Sequence, residues 1–287
     1  MTLRVGVVLL PERRWPDERW ARAEALGFDH AWTYDHLTWR GLRDEPWFAA
    51  VPTLAAAALA TSRLRLGTLV ASPNFRHPVP FAKELLTLDD LAGGRFTVGL
   101  GSGGIGWDAT ALGNEAWTIR ERIGRFEEFV EVLDIVLSQP ASSYEGRWYS
   151  AEEARSVPGC VQQPRLPFAI AATGPRTMRV AARFGSCWVT TGDRSAEGLH
   201  DGVPEVAAQM VRLDEACAAE GREPSTLDRL VLTGIELGPG LDSPEHFRDT
   251  CGRYAELGVT DLVVHWPRAT EPFAGDEAHF ERVVTAH

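Results

Sequence analysis

The chain has few of the residues that would assign it to a class at once. Only four of its 287 residues are cysteines, and they lie far apart with no CxxC pair. This spacing argues against a disulfide framework and a zinc site and is typical of the reducing cytosol. Lys83 is the only lysine, so arginine supplies almost all of the positive charge.

Basic surface and long apolar runs are also missing. The formal net charge of −11 argues against nucleic-acid binding, which needs a basic surface. No run of about 18 apolar residues is present, so we expect no membrane span. The first ten residues lack a basic region and a small-residue cleavage site, and they predict a strand rather than a signal peptide. These features favour a cytoplasmic protein that acts on a small molecule.

Short apolar runs alternate with amphipathic stretches along the whole chain. The predicted strands are residues 3–10, 30–34, 64–71, 95–101, 167–172, 187–191, 230–237 and 261–266. Most are continuous runs of Val, Leu and Ile, as expected of parallel strands buried on both faces. Eight strands alternating with eight helices predict a (β/α)8 TIM barrel, an α/β fold, with a doubly wound open sheet as the alternative.

No linker divides the chain, so residues 1–287 are predicted to form a single domain. Residues 138–167 are rich in Pro, Gly and Ser and precede the fifth predicted strand. This stretch is too long for an ordinary loop, and we interpret it as an irregular insertion that acts as a lid.

Asp35 and His36 close the second predicted strand. In a barrel this places them at the carboxyl end of the strands, where a histidine can give or take a proton near neutral pH. The alternative is an Asp that caps the next turn beside a surface His.

Two further loops contain candidate binding residues. Residues 99–107 read GLGSGGIGW, and their glycines would let the backbone approach a planar or anionic ligand, although a flexible turn is the simpler alternative. The run is not the dinucleotide fingerprint, because no acidic residue follows on a second strand. Residues 173–177 read TGPRT, and free N–H groups at a helix start beside Arg176 predict a phosphate site, unless they form only an ordinary helix cap.

Aromatic residues near strand ends predict an apolar pocket. Trp39 and Trp107 are placed to line it around a ring system. Glu12, at the end of the first strand, would border the same pocket in a structural rather than a catalytic role. Glu236 and His265 lie at comparable positions and are the reserve candidates.

Four segments, taken in order, resemble the bacterial luciferase-like family of flavin- and deazaflavin-dependent oxidoreductases. They are residues 27–36 (GFDHAWTYDH), 66–78 (LGTLVASPNFRHP), 99–107 and 173–183 (TGPRTMRVAAR). The similarity covers most of residues 1–190 and is weaker beyond Asp193. It implies the luciferase-like barrel and is strongest for members that use coenzyme F420.

The resemblance also implies roles for individual residues. Asp35 would contact the cofactor and His36 would be the acid–base group. A non-proline cis peptide at Leu69-Val70 would support the cofactor ring from behind. The remaining implied cofactor contacts are Ser72, Ser102 and Gly103 around the ring and Thr173, Gly174, Arg176 and Thr177 around the phosphate.

One departure from the family narrows the expected reaction. Its sugar-phosphate dehydrogenases carry a catalytic Glu where this chain has Gly104, and they bind sugar phosphate with lysines that this chain lacks. Glucose 6-phosphate oxidation is therefore not expected.

The resemblance leaves several functions open. We expect hydride transfer between F420 and a small substrate, with reduction of a C=N or C=C bond favoured. A homodimer is compatible with the sequence. The alternatives are a monooxygenase that uses reduced FMN, a non-catalytic flavin-binding protein and an unrelated phosphate-binding barrel.

Overall fold

A computed structural model describes residues 2–104, 106–193 and 198–285. Its parallel strands are β1 (Arg4–Val8), β2 (His30–Thr33), β3 (Arg65–Ala71), β4 (Phe96–Leu100), β7 (Phe168–Ala171), β8 (Cys187–Thr190), β9 (Asp228–Leu232) and β10 (Asp261–His265). They close into a barrel in the order β1-β10-β9-β8-β7-β4-β3-β2. Because β1 pairs with both β10 and β2, the open-sheet alternative is wrong and the barrel prediction is confirmed.

In the part of the chain that the structure describes, eight α-helices surround the strands. They are α1 (Arg19–Ala25), α2 (Ala50–Ala60), α3 (Pro78–Leu91), α4 (Ile119–Ser138), α5 (Pro175–Phe184), α6 (Val203–Ala219), α7 (Pro244–Leu257) and α8 (Glu277–Val284). Their ends follow local sequence signals. Thr118 and Glu121 form a capping box at the start of α4, and Gly258 ends α7 with a φ of 96°. None of the helices in these described ranges is both long and apolar enough to cross a bilayer.

Inside the insertion the chain forms a hairpin that the sequence pattern did not predict. Strands β5 (Ala141–Glu145) and β6 (Ser150–Arg155) pair antiparallel. Glu128 of α4 accepts hydrogen bonds from the backbone N–H groups of Trp148 at 2.8 Å and Tyr149 at 2.7 Å. These bonds dock the turn of the hairpin on α4. Movement of residues 138–167 as a lid stays a prediction.

The amino-terminal end of the barrel is closed by a buried polar network. Trp32 donates its indole N–H to His30 Nδ1 at 2.6 Å, so His30 Nε2 carries the hydrogen that faces Asp261 at 3.0 Å. Burial would raise the pKa of Asp261, but hydrogen bonds from His30 and Arg4 outweigh it and hold this pKa well below its usual range. A Cβ on Gly6 would lie 2.0 Å from the His30 ring, so only glycine leaves room for it. This end of the barrel supports stability, and the opposite mouth is left for chemistry.

Candidate functional site

The carboxyl ends of neighbouring strands bring the candidate residues to one mouth of the barrel. Asp35 and His36 follow β2, Ser72 follows β3, and Thr173 follows β7. At most two strands separate any two of these three, because the barrel order runs β7-β4-β3-β2. The sequence-predicted residues therefore share one end of the barrel, although their contact with a cofactor stays a prediction.

The His36 imidazole is held by a carboxylate that sequence reasoning missed. Asp108 lies in a short 3-10 turn, Trp107–Ala109, beyond the glycine run, and its Oδ2 contacts His36 Nδ1. The His36 side chain is 30% exposed and that of Asp108 only 5%. Trp47 donates its indole N–H to the His36 carbonyl at 2.8 Å and so fixes the backbone separately. The arrangement is an acid–base side chain oriented by a buried acid.

Asp35 is already paired in the structure. Arg76 Nε donates to Asp35 Oδ2 at 2.5 Å and Arg76 Nη2 donates to Asp35 Oδ1 at 2.8 Å. Glu84 takes a third Arg76 hydrogen bond at 2.7 Å. Asp35 is therefore a buried anchor for Arg76, and any contact with a cofactor would use its remaining lone pairs. Arg76 is a single arginine at the end of the buried loop after β3. This feature of the sequence could have indicated an acidic partner nearby.

The bulged end of β3 explains one glycine of β4 and the glycine that directly follows this strand. The Leu69–Val70 peptide bond is cis, as the resemblance implied. A Cβ on Gly99 would lie 2.0 Å from the Thr68 carbonyl oxygen, and one on Gly101 would lie 2.6 Å from Val70 Cγ2. Contact between the two strands requires these glycines, so the prediction that the whole glycine run admits a ligand is too broad.

The loops after β3 and β4 meet at Asn74. Its Nδ2 donates to the Gly104 carbonyl at 3.2 Å, and its backbone N–H donates to Ser72 Oγ at 3.4 Å. A Cβ on Gly103, which has a φ of 73°, would lie 2.4 Å from Asn74 Oδ1. This Oδ1 atom is buried and has no partner among the described residues. Ser102 precedes this contact and is half-buried.

The start of α5 carries the predicted phosphate residues. Gly174 is its N-cap without a side-chain cap, so the first N–H groups of the helix have no partner within it. Thr177 Oγ1 donates back to the Gly174 carbonyl at 3.0 Å, and Thr173 is exposed. Arg176 Nε donates to Glu127 Oε1 at 2.9 Å, so its charge is shared with an acid. A groove of about 650 Å³ opens beside Arg176.

An aromatic cluster lines the mouth next to His36. Trp39 is buried against Tyr34 at a centroid distance of 5.1 Å and against Phe273 at 6.0 Å. Phe273 also stacks on His265 at 3.6 Å, and the Tyr34 hydroxyl lies 2.6 Å from His265 Nε2. Burial lowers the pKa of His265 to about 3 and raises that of Tyr34 well above its usual range, so both groups are neutral. Trp39 thus belongs to an apolar wall, and its contact with a bound ring system stays a prediction.

The other two predicted pocket residues have different surroundings. Trp107 is 43% exposed, packs under the Arg43 guanidinium and donates its indole N–H to the Arg40 carbonyl at 3.3 Å. Glu12 Oε2 accepts from Arg268 Nε at 2.7 Å, and its Oε1 lies 3.5 Å from Arg19. Glu12 therefore anchors the loop after β10, which is the structural role expected for it.

A comparison with protein families and curated proteins gives a consistent result. Residues 17–237 match the family model described as luciferase-like monooxygenase. The F420-dependent glucose-6-phosphate dehydrogenase of Beutenbergia cavernae is 31% identical in an alignment 301 positions long, which covers 87% of this chain and 86% of that protein.

Solved structures share the fold across nearly the whole chain. An F420-dependent secondary alcohol dehydrogenase in complex with an F420-acetone adduct superposes with a TM-score of 0.81 at 16% identity, covering 99% of this chain and 98% of that one. The monooxygenase RslO1 from Streptomyces bottropensis superposes with a TM-score of 0.78 at 20% identity, covering 98% and 96% of the two chains. At these identities the likeness extends to the barrel alone.

Proposed function

Because the chain belongs to the luciferase-like monooxygenase family, we propose that it is an oxidoreductase that transfers hydride between coenzyme F420 and a small organic substrate. Reduction of a C=N or C=C bond is the favoured reaction. The F420 dependence in the name of the Beutenbergia relative supports the choice of cofactor. The observation that carries an enzymatic role is the His36–Asp108 pair at the barrel mouth.

The residues at the mouth fit such a cofactor. Asn74 Oδ1 is a buried acceptor without a partner among the described residues, beside a Gly103 backbone that only glycine allows. A ring N–H or hydroxyl of a ligand would satisfy it, since an unpaired buried acceptor is costly. The free N–H groups at the start of α5 would hold the phosphate, with Arg176 and Thr177 alongside. When bound, the deazaflavin supplies the hydride chemistry.

The chain's own residues would handle the proton and exclude water. His36 would hold or release a proton at Nε2, on the side of its ring away from Asp108. The wall formed by Tyr34, Trp39 and Phe273 presents apolar faces beside it. Since Tyr34 and His265 are both neutral, this wall adds no charge to the site.

Glucose 6-phosphate is not part of the proposal, although the Beutenbergia relative is named for its oxidation. Gly104 offers no carboxylate where the sugar-phosphate enzymes carry a Glu. Lys83 is exposed on α3, so it is a poor candidate for a phosphate ligand at the mouth.

The proposal is tested by mixing the protein anaerobically with reduced F420 and an activated C=C or C=N probe, 2-cyclohexen-1-one or 1-pyrroline. We expect the absorbance of oxidised F420 to return as product forms, and reduced FMN with the same probes to give no turnover. Oxygen-dependent consumption of reduced FMN, with oxygen found in the product, would instead establish the monooxygenase alternative.

A further inference from the structure

We propose that Asp108 is a positioning residue that holds His36 in the tautomer with hydrogen on Nδ1, which leaves Nε2 to accept a proton at the barrel mouth. The catalytic consequence rests on the proposed function, whereas the tautomer itself does not. Asp108 reaches His36 from the loop after β4, across 72 residues of sequence.

The contacts of Asp108 fix both of its oxygens. Oδ2 faces His36 Nδ1, and Oδ1 accepts the backbone N–H of Leu37 at 2.7 Å and that of Thr38 at 3.4 Å. The Asp108 side chain is 5% exposed, so water competes little for these bonds. Both carboxylate oxygens are thereby held in place.

These contacts select one tautomer. An ionised carboxylate can only accept hydrogen bonds, so the hydrogen between Asp108 and His36 belongs to the Nδ1 nitrogen. A neutral imidazole carries one hydrogen, so Nε2 then holds a lone pair. Within residues 2–104, 106–193 and 198–285, no hydrogen-bond partner of His36 Nε2 is recorded, and the ring is 30% exposed. Nε2 is therefore the nitrogen available to a substrate.

The consequence for the chemistry is that protons are exchanged with the substrate at one atom, His36 Nε2. In the direction of reduction, the His36 imidazolium, stabilised by Asp108, gives its Nε2 proton to the atom of the C=N or C=C bond that did not receive the hydride. In the opposite direction, neutral His36 takes that proton back at Nε2 as the hydride leaves the substrate. Without Asp108, the imidazole would be free to carry its hydrogen on Nε2, where it could not accept one.

If Asp108 had a purely structural role, the His36 tautomer would not depend on it. Its bonds to Leu37 and Thr38 also tie two loops together, and they would do so whichever tautomer His36 adopts. The substitution Asp108→Asn separates the two roles. An Asn amide oxygen can still accept both backbone N–H groups, while its NH₂ group donates towards His36 Nδ1 and favours hydrogen on Nε2.

The direct experiment is long-range ¹H–¹⁵N NMR of the ¹⁵N-histidine-labelled full chain without cofactor, with His36 assigned by the signal lost in His36→Gln. We expect the Nδ1–H tautomer in the unmodified protein and a shift towards Nε2–H in Asp108→Asn. Asp90→Asn, which changes an exposed acid on α3, should leave the His36 signals unchanged. An Nε2–H tautomer in the unmodified protein, or the same His36 signals in both variants, would overturn the proposal.

A kinetic arm tests the consequence with reduced F420 and 2-cyclohexen-1-one. Asp108→Asn should lower kcat by about 10²-fold with little change in KM or in F420 affinity, because the neutral amide no longer stabilises the imidazolium that gives its Nε2 proton to the substrate. A kcat equal to that of Asp90→Asn would also count against the positioning role. Failure of the unmodified protein to bind F420 would refute the proposed function and leave the NMR result to decide the tautomer.

Discussion

Acidification should destabilise the protein through one buried side chain at the mouth, His265. Its residue is 5% exposed, its Nε2 lies 2.6 Å from the Tyr34 hydroxyl, and its ring stacks on Phe273. Burial lowers the pKa of His265 to about 3. The folded protein therefore keeps this imidazole neutral throughout the mildly acidic range.

The unfolded chain has no such constraint. There the imidazole titrates near its ordinary pKa of 6.5, so below that pH the unfolded chain binds a proton that the folded protein does not. Stability is therefore lost as the pH falls from 6.5 towards 3, at about 1.36 kcal/mol for each unit. A change from about pH 7.5 to about pH 5.5 should lower the free energy of unfolding by about 1.4 kcal/mol through His265.

Equilibrium urea unfolding at the two pH values measures this loss. His265→Gln should be less stable at both and should lack the His265 part of the pH dependence. His246→Gln is the matched control. The His246 side chain on α7 is 53% exposed, so this variant should keep the His265 part of the pH dependence. The pKa of His200, raised by its hydrogen bond to Glu205, acts in the opposite direction but is common to all three proteins. An equal loss of stability in His265→Gln and in the unmodified protein would refute the reasoning.

Three other substitutions test contacts at the mouth. Gly101→Ala should cost about 1–3 kcal/mol in urea unfolding, because the new Cβ would lie 2.6 Å from Val70 Cγ2. Asp35→Ala should cost about 3 kcal/mol and weaken F420 binding, because it removes the bidentate partner of an Arg76 side chain that is only 12% exposed. His36→Ala should keep F420 affinity in a binding titration yet slow turnover by about 10²–10⁴-fold, and full activity on the substrate would make His36 structural.

The positions of the barrel strands could be predicted because each strand is buried on both faces. Every residue of β4, β8 and β10 is buried, which makes apolar runs that stand out in the sequence. The hairpin was missed for the opposite reason. Strand β6 reads SAEEAR, has no buried residue and carries no apolar alternation, so its composition does not mark it as a strand. Glu128 of α4 holds only the turn that precedes it.

The site was predictable only where it is local. Asp35, His36 and Ser72 could be placed because each directly follows a recognisable strand. Their partners could not be placed, since Asp108 lies 72 residues from His36 and Arg76 lies 41 residues from Asp35 in the sequence. No local pattern decides which loops meet across a barrel mouth. The pairing of Asp108 with His36, and of Arg76 with Asp35, is therefore visible only in the folded protein.

The most direct measurement is an equilibrium titration of the purified protein with oxidised F420 and, separately, with FMN, followed by protein fluorescence. We predict saturable F420 binding with a dissociation constant at least about 10-fold below that of FMN, a difference of about 1.4 kcal/mol in binding free energy. Tighter binding of FMN, or no binding of F420, would contradict the central claim that this barrel is built for a deazaflavin.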